Sequence, residues 1–291
     1  YNRDSAIDSP DDEKAFYWLK LAAEQGHCEA QYSLGQKYTE DKSRHKDNEQ
    51  AIFWLKKAAL QGHTFASNAL GWTLDRGEAP NYKEAVVWYQ IAAESGMSYA
   101  QNNLGWMYRN GNGVAKDYAL AFFWYKQAAL QGHSDAQNNL ADLYEDGKGV
   151  AQNKTLAAFW YLKSAQQGNR HAQFQIAWDY NAGEGVDQDY KQAMYWYLKA
   201  AAQGSVGAYV NIGYMYKHGQ GVEKDYQAAF EWFTKAAECN DATAWYNLAI
   251  MYHYGEGRPV DLRQALDLYR KVQSSGTRDV SQEIRETEDL L

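Results

Sequence analysis

The residues able to do covalent or metal chemistry are few and poorly placed for it. Among seven histidines in 291 residues, His27, His63 and His133 fall in the same kind of turn, 36 and 70 residues apart. A metal needs its ligands within about 2.0–2.3 Å of one point, which side chains carried on separate repeats cannot supply. His218 and His253 are separated in the same way. No His-Glu-x-x-His, Walker loop or Gly-x-Ser-x-Gly elbow occurs. Loops such as Gly111-Asn112-Gly113-Val114 look phosphate-like only superficially, because no Lys-Ser/Thr follows. Glu145 and Asp146 could draw a stray divalent cation, but solvated loop charge explains them. Asn153-Lys154-Thr155 spells a glycosylation triplet, yet Asn153 is better used as a helix cap. No catalytic residue, metal site or cofactor is therefore expected. The remaining catalytic alternative is a hydrolase built on an unrecognised constellation of carboxylates.

A second set of residues suggests binding. Trp72, Trp106 and Trp178 each stand six residues after a recurring alanine, and Tyr214 holds the same place. A residue just after the core glycine of a first helix points away from that pair's own core. The rings are thus expected to line a concave groove, with Asp142 interrupting the row. Arg76 follows Trp72 by four residues and Arg109 follows Trp106 by three, so each shares a helix face with its ring. Lys217 and His218 stand near Tyr214, while Phe65, Tyr99 and His171 precede recurring alanines and can project into the same groove. Arginine beside tryptophan is the composition of interface hot spots and permits cation–π contact. The other reading, in which these rings only pack on the adjacent repeat, stays open. So does the role of Asn103, Asn139, Asn211 and Asn247, which could bond a partner's backbone or the next repeat; the latter is favoured.

The elements that must position these groups follow from a repeat. The alanines are Ala30, Ala66, Ala100, Ala136, Ala172, Ala208 and Ala244, spaced 34 or 36 residues apart. That is the period of a helix-turn-helix unit. Ala100, Leu104, Gly105 and Tyr108 share one face of a first helix, with the glycine admitting a close neighbour. A Gly-x-Gly-Val loop follows, and then an N-cap: Asp47, Asn81, Asp117, Asn153, Asp189, Asp225 or Asp261. Gln50, Glu84, Gln192 and Gln264 complete a capping-box pattern. The second helix reads like Ala121, Trp124, Tyr125, Ala128, Ala129 and stops at glycine or, once, Asn240. Its framework tryptophans, Trp18, Trp54, Trp88, Trp124, Trp160, Trp196 and Trp232, are expected in the core, and Trp245 is expected to pack.

Composition agrees. Apolar residues make up 45% and aromatic residues 15% of a chain with 23 glycines and only three prolines, although the mean hydropathy is −0.71. Aromatic content of that order argues against disorder. The net charge is −8 without a block of Lys or Arg, which argues against nucleic acid. No run of 18 apolar residues occurs, so no membrane-spanning helix is expected. Cys28 and Cys239 lie about six repeats apart at roughly 10 Å per stacked helix pair, too far for a disulfide. Both are expected as buried or half-buried thiols.

These letters resemble the Sel1-like repeat (SLR) family, relatives of tetratricopeptide repeats, over about residues 11–280. The resemblance implies an all-α, right-handed superhelical solenoid of antiparallel helix pairs that acts as a non-enzymatic interaction scaffold for a partner protein or peptide. It also implies a secreted or periplasmic bacterial protein, since some members are such. One enterobacterial member binds host secretory immunoglobulin A, which makes that protein a candidate partner; an envelope adaptor serving its own cell is the alternative role. The expected organisation is a partial repeat at 1–29, seven repeats at 30–65, 66–99, 100–135, 136–171, 172–207, 208–243 and 244–279, and a capping helix at 280–291. With only a second helix before Ala30, the array is expected to be a fragment of a longer one. Two loops depart from the pattern: Asp41 and Ser43 replace glycines in "EDKSRHKD", where an irregular, mobile loop is expected, and "RGEAPNY" is two residues short.

Overall fold

The computed structural model describes residues 10–40, 45–77 and 79–291, with side chains from residue 13. The "EDKSRHKD" expectation falls largely on residues 41–44, outside the described residues. The described chain is helical, without a strand, and divides into two compact units, residues 1–152 and 153–291. The first holds α1 (Pro10–Glu24), α2 (Cys28–Thr39), α3 (Asn48–Leu60), α4 (Thr64–Arg76), α5 (Tyr82–Glu94), α6 (Ser98–Asn110), α7 (Tyr118–Leu130) and α8 (Ser134–Asp146). The second holds α9 (Lys154–Gln166), α10 (Arg170–Ala182), α11 (Tyr190–Ala202), α12 (Val206–His218), α13 (Tyr226–Glu238), α14 (Ala242–Tyr254), α15 (Leu262–Ser275) and α16 (Ser281–Asp289). Within each unit, consecutive helices pack against one another. This is the all-α solenoid pattern of tandem helix pairs.

Local chemistry sets the helix ends. All seven predicted caps accept from first-turn amides; Asp117, for example, takes Ala119 N–H at 2.8 Å and Leu120 N–H at 2.9 Å. The reciprocal half of the capping box is a correction. The cap's own N–H donates to the last turn of the preceding first helix, as in Asp47 N to Tyr38 O and Asp189 N to Tyr180 O, both 2.9 Å. The tight return of the chain puts that carbonyl closer than a side chain at the third helical position. The second helices end at a left-handed residue, Gly132 at φ +90° or Asn240 at φ +62°. That turn brings His133 N–H to Ala128 O at 3.1 Å, and so places His133 as the cap of α8. His133 Nδ1 accepts Ala136 N–H at 3.3 Å, and His63 Nδ1 accepts Ala66 N–H at 3.1 Å.

The core differs from expectation by one residue. Trp54, Trp88 and Trp196 are buried, but Trp124, Trp160 and Trp232 are only half-buried, and Trp18 is 66% exposed. The sealed position is the next one: Leu55, Tyr89, Tyr125, Tyr161, Tyr197 and Phe233 are at most 2% exposed. One step along a helix turns the side chain by about 100°, which carries this ring squarely onto the first helix of its pair. The core glycine is what it meets: a Cβ on Gly71 would lie 2.8 Å from the Tyr89 ring, and one on Gly213 would lie 2.7 Å from Phe233. The loop glycines have an equally specific seat. Gly113, at φ +72°, lies so close to the backbone of Tyr82 and Lys83 that no side chain fits, and Val114 then packs on the core. In the last such loop Arg258 stands in the valine's place. Its guanidinium lies 3.1 Å from the Phe230 ring centre and donates to the Tyr252 hydroxyl at 2.7 Å.

Trp245 packs against the last core cluster with Ile284, as expected. Both cysteines are free, but Cys239 is exposed: the turn residue that caps α13 faces water. Cys28 is part-buried and points its thiol at Ala58 O, 3.6 Å away.

Candidate functional site

In the first unit, Trp72 and Trp106 stand in the last turns of α4 and α6 with 45% and 42% of their surface exposed; in the second, Trp178 stands in α10 with 47% exposed. Helical spacing seals Leu70 and Leu74 on one side of α4 and turns Trp72 outward. Phe65 and Tyr99 are exposed at the starts of the same first helices, and His171 is exposed at the start of α10. Arg76 lies over the Trp72 ring, with its guanidinium carbon 5.5 Å from the ring centre.

The remaining charged candidates are not open donors. Arg109 donates to Asp142 at 3.0 Å, and its guanidinium also reaches Asn139 at 3.5 Å. Burial works against this charge, but the bond and the charge of Asp142 outweigh it, so the Arg109 pKa lies above its ordinary value. Asp142 therefore interrupts the row of rings because it is the partner of Arg109. Lys217 is only 9% exposed and pairs with Glu256 at 2.6 Å. Tyr214 is half-buried; its ring meets Phe233 edge-on at 5.6 Å, and its hydroxyl accepts from Asn247 at 3.1 Å. His218 is exposed and lies parallel to Tyr214 at 6.2 Å. Trp178, Asn181, Asn211, Tyr214, His218 and Gln220 line one cleft.

The recurring asparagines join neighbouring repeats. Asn103 donates to Asn68 at 3.2 Å and Asn139 to Asn102 at 3.0 Å, each bridging consecutive first helices.

Two features escaped the sequence reading. Asp75 occupies the register of Arg109 and Lys217 but turns inward, taking the Tyr89 hydroxyl at 2.8 Å. Burial raises its pKa above the ordinary aspartate value, against the opposing effects of Tyr89 and Arg76. The second helices also carry exposed side chains: Phe53, Val87 and Phe123 in the first unit, Phe159 and Tyr195 in the second. The signal was the apolar residue before every framework tryptophan except Trp232, which follows Glu231. Phe53, Phe123, Phe159 and Tyr195 each meet that tryptophan edge-on at 4.9–5.1 Å, and Lys57, Lys163 and Lys199 lie 4.6–5.7 Å from the centres of Phe53, Phe159 and Tyr195.

The family model described as Sel1 repeat matches eight segments: residues 7–27, 28–63, 64–97, 98–133, 134–169, 170–205, 206–241 and 242–271. The chain belongs to the Sel1 repeat family. Two solved Sel1-type structures are similar to it. One is c5321, described as a protective antigen present in uropathogenic Escherichia coli strains displaying an SLR fold. It is 35% identical with a TM-score of 0.83, and the match covers 90% of this chain and 56% of that one. The chain thus spans little more than half the length of that relative. The other is a Sel1 repeat protein from Oxalobacter formigenes, 33% identical with a TM-score of 0.68, covering 74% of this chain and 86% of that one. In this chain the repeating letters build the stack, and the exposed registers differ from repeat to repeat. No described helix is long and apolar enough to cross a membrane.

Proposed function

We propose that the chain is a non-catalytic scaffold that holds a partner protein or peptide through the exposed rings of the first helices of its repeats. The observation that carries this reading is the exposure of Trp72, Trp106 and Trp178 at one register while the residues packed beside them are sealed. An indole left nearly half in water forgoes roughly 1–2 kcal/mol of burial, which a partner can recover. In the first unit Arg76 extends the Trp72 surface and Phe65 and Tyr99 add to it; in the second, Tyr214 and His218 stand beside Trp178. Arg109 and Lys217 hold repeats together and contribute to binding by shaping it. The exposed rings of the second helices are the weaker candidate, because they are already engaged by a tryptophan edge or a lysine.

The working environment we favour is secreted or periplasmic, with a host protein as partner. The similarity to a protective antigen of uropathogenic bacteria supports this, and secretory immunoglobulin A is the host protein to try first. The test is surface plasmon resonance of the purified chain against secretory immunoglobulin A. Trp72→Ala and Trp106→Ala are each expected to weaken binding by about 2 kcal/mol or more, with melting nearly unchanged. Unchanged affinity, or unfolding as severe as that of a core variant, would remove the face from consideration. Capture of a partner from the producing cell's envelope extract, with no affinity for the immunoglobulin, would favour the adaptor role.

A further inference from the structure

Neighbouring first helices can be tied at the exposed end of their contact. Between α6 and α8 the tie is Arg109 with Asp142 at 3.0 Å. Between α12 and the loop after α14 it is Lys217 with Glu256 at 2.6 Å. Between α10 and α12 the corresponding residues are Asn181, at the register of Arg109, and Tyr214, at that of Asp142. They cannot form an ion pair, and an open cleft lies there, rimmed by Trp178, His218 and Gln220.

The chemistry of this cleft is unusual for the molecule. It presents three rings, three amides and the Met215 thioether, without a carboxylate, lysine or arginine. The Trp178 indole N–H and the Asn181 amide make no hydrogen bond among the described residues. The Tyr214 hydroxyl accepts from Asn247 and keeps its own proton to donate. The site is thus rich in donors between aromatic walls. Peptides are recognised in a few backbone modes. Strand addition needs a sheet edge, and the described residues contain no strand. A helix needs a long apolar groove, whereas this cleft is edged with amides. A polyproline II segment needs flat rings for its pyrrolidines and donors for its unpaired carbonyls, and it brings few N–H groups of its own.

We propose that the cleft between α10 and α12 binds an uncharged proline-rich segment of a partner in the polyproline II conformation, with the rings of Trp178 and Tyr214 packing on proline and the indole, phenol and amide donors taking its carbonyls. This rests on the scaffold reading and names one occupant of that face.

The probe is a fluorescein-labelled peptide of repeated Pro-Pro-Leu triplets, followed by anisotropy with the whole chain. Saturable binding is expected, insensitive to salt and weakened at least about tenfold by Trp178→Ala. The double variant Asn181→Arg with Tyr214→Asp installs the pair that closes the α6/α8 step and is expected to abolish binding. Gln220→Ala, at the rim, gives a milder loss should that double variant melt early. Conversely, Arg109→Asn with Asp142→Tyr opens a second cleft beside Trp106 and should raise the stoichiometry. Absence of saturable binding, equal affinity for an Ala-Ala-Leu peptide, or undiminished binding by folded Trp178→Ala protein would each overturn the proposal. Should the peptide fail while Trp72→Ala and Trp106→Ala still release the partner, only the cleft assignment falls. Should the peptide bind while those two variants leave the partner in place, the extended row falls and the cleft stands.

Discussion

Gly105 in α6 faces the ring of Tyr125 in α7 so closely that a Cβ on the glycine would lie 2.7 Å from Cδ1. The two positions make one joint, a missing side chain on the first helix and a sealed ring on the second. Gly105→Ala is therefore expected to lower stability. Overpacking costs about 1–3 kcal/mol against roughly 1 kcal/mol of recovered helix propensity. Denaturant unfolding reads the difference, and a stability equal to or above that of the parent would show that the ring yields freely. The comparison is informative because α10 carries Ala177 at the same register.

Adjacent aromatic residues in α7 should behave unequally. Tyr125→Ala empties a fully buried site and is expected to cost about 3–5 kcal/mol. Trp124→Ala removes a half-buried ring, for about 1–2 kcal/mol. Chemical denaturation of the two variants checks the order, and a larger loss at Trp124 would contradict the packing described.

Stability should depend on His133 in a definite direction. Burial depresses its pKa below the ordinary 6.5, against the opposing charge of Asp135, and the Tyr99 ring lies 4.7 Å away. The neutral Nδ1 accepts the Ala136 amide; a protonated ring has no lone pair there and sits badly at a helix N-terminus. With the folded pKa below the unfolded one, this contribution is complete above about pH 6.5 and is lost as pH falls through and below that value, by up to about 1.4 kcal/mol per pH unit. His133→Asn keeps an acceptor of the kind Asn169 gives α10, where it takes Ala172 N–H at 3.0 Å. The difference between parent and variant in melting temperature should widen toward acid and vanish near neutrality. Parallel pH curves would refute the cap assignment.

Arg109 and Asp142 should couple modestly. Both are partly buried, so a double-mutant cycle is expected to give about 0.5–1 kcal/mol, diminishing as salt is raised. A coupling of zero at low salt would show that the pair forms no tie between α6 and α8.

Some of this was legible in order along the chain. The period of the alanines, the Asp or Asn before each second helix and the glycine after it specify helix lengths and ends, because capping and left-handed turns are contacts among near neighbours. The outward register of Trp72, Trp106 and Trp178 followed from the same local periodicity. What tertiary structure decided involves residues 20 to 33 positions apart: whether Tyr125 or Trp124 faces the glycine, whether Arg109 is a free donor or the mate of Asp142, and that Asn181 and Tyr214 leave a cleft unclosed. A repeat unit read alone gives each side chain a direction. Only the helix packed against it, in the same repeat or the next, supplies the surface or charge it meets, since burial and ion pairing depend on two helices at once.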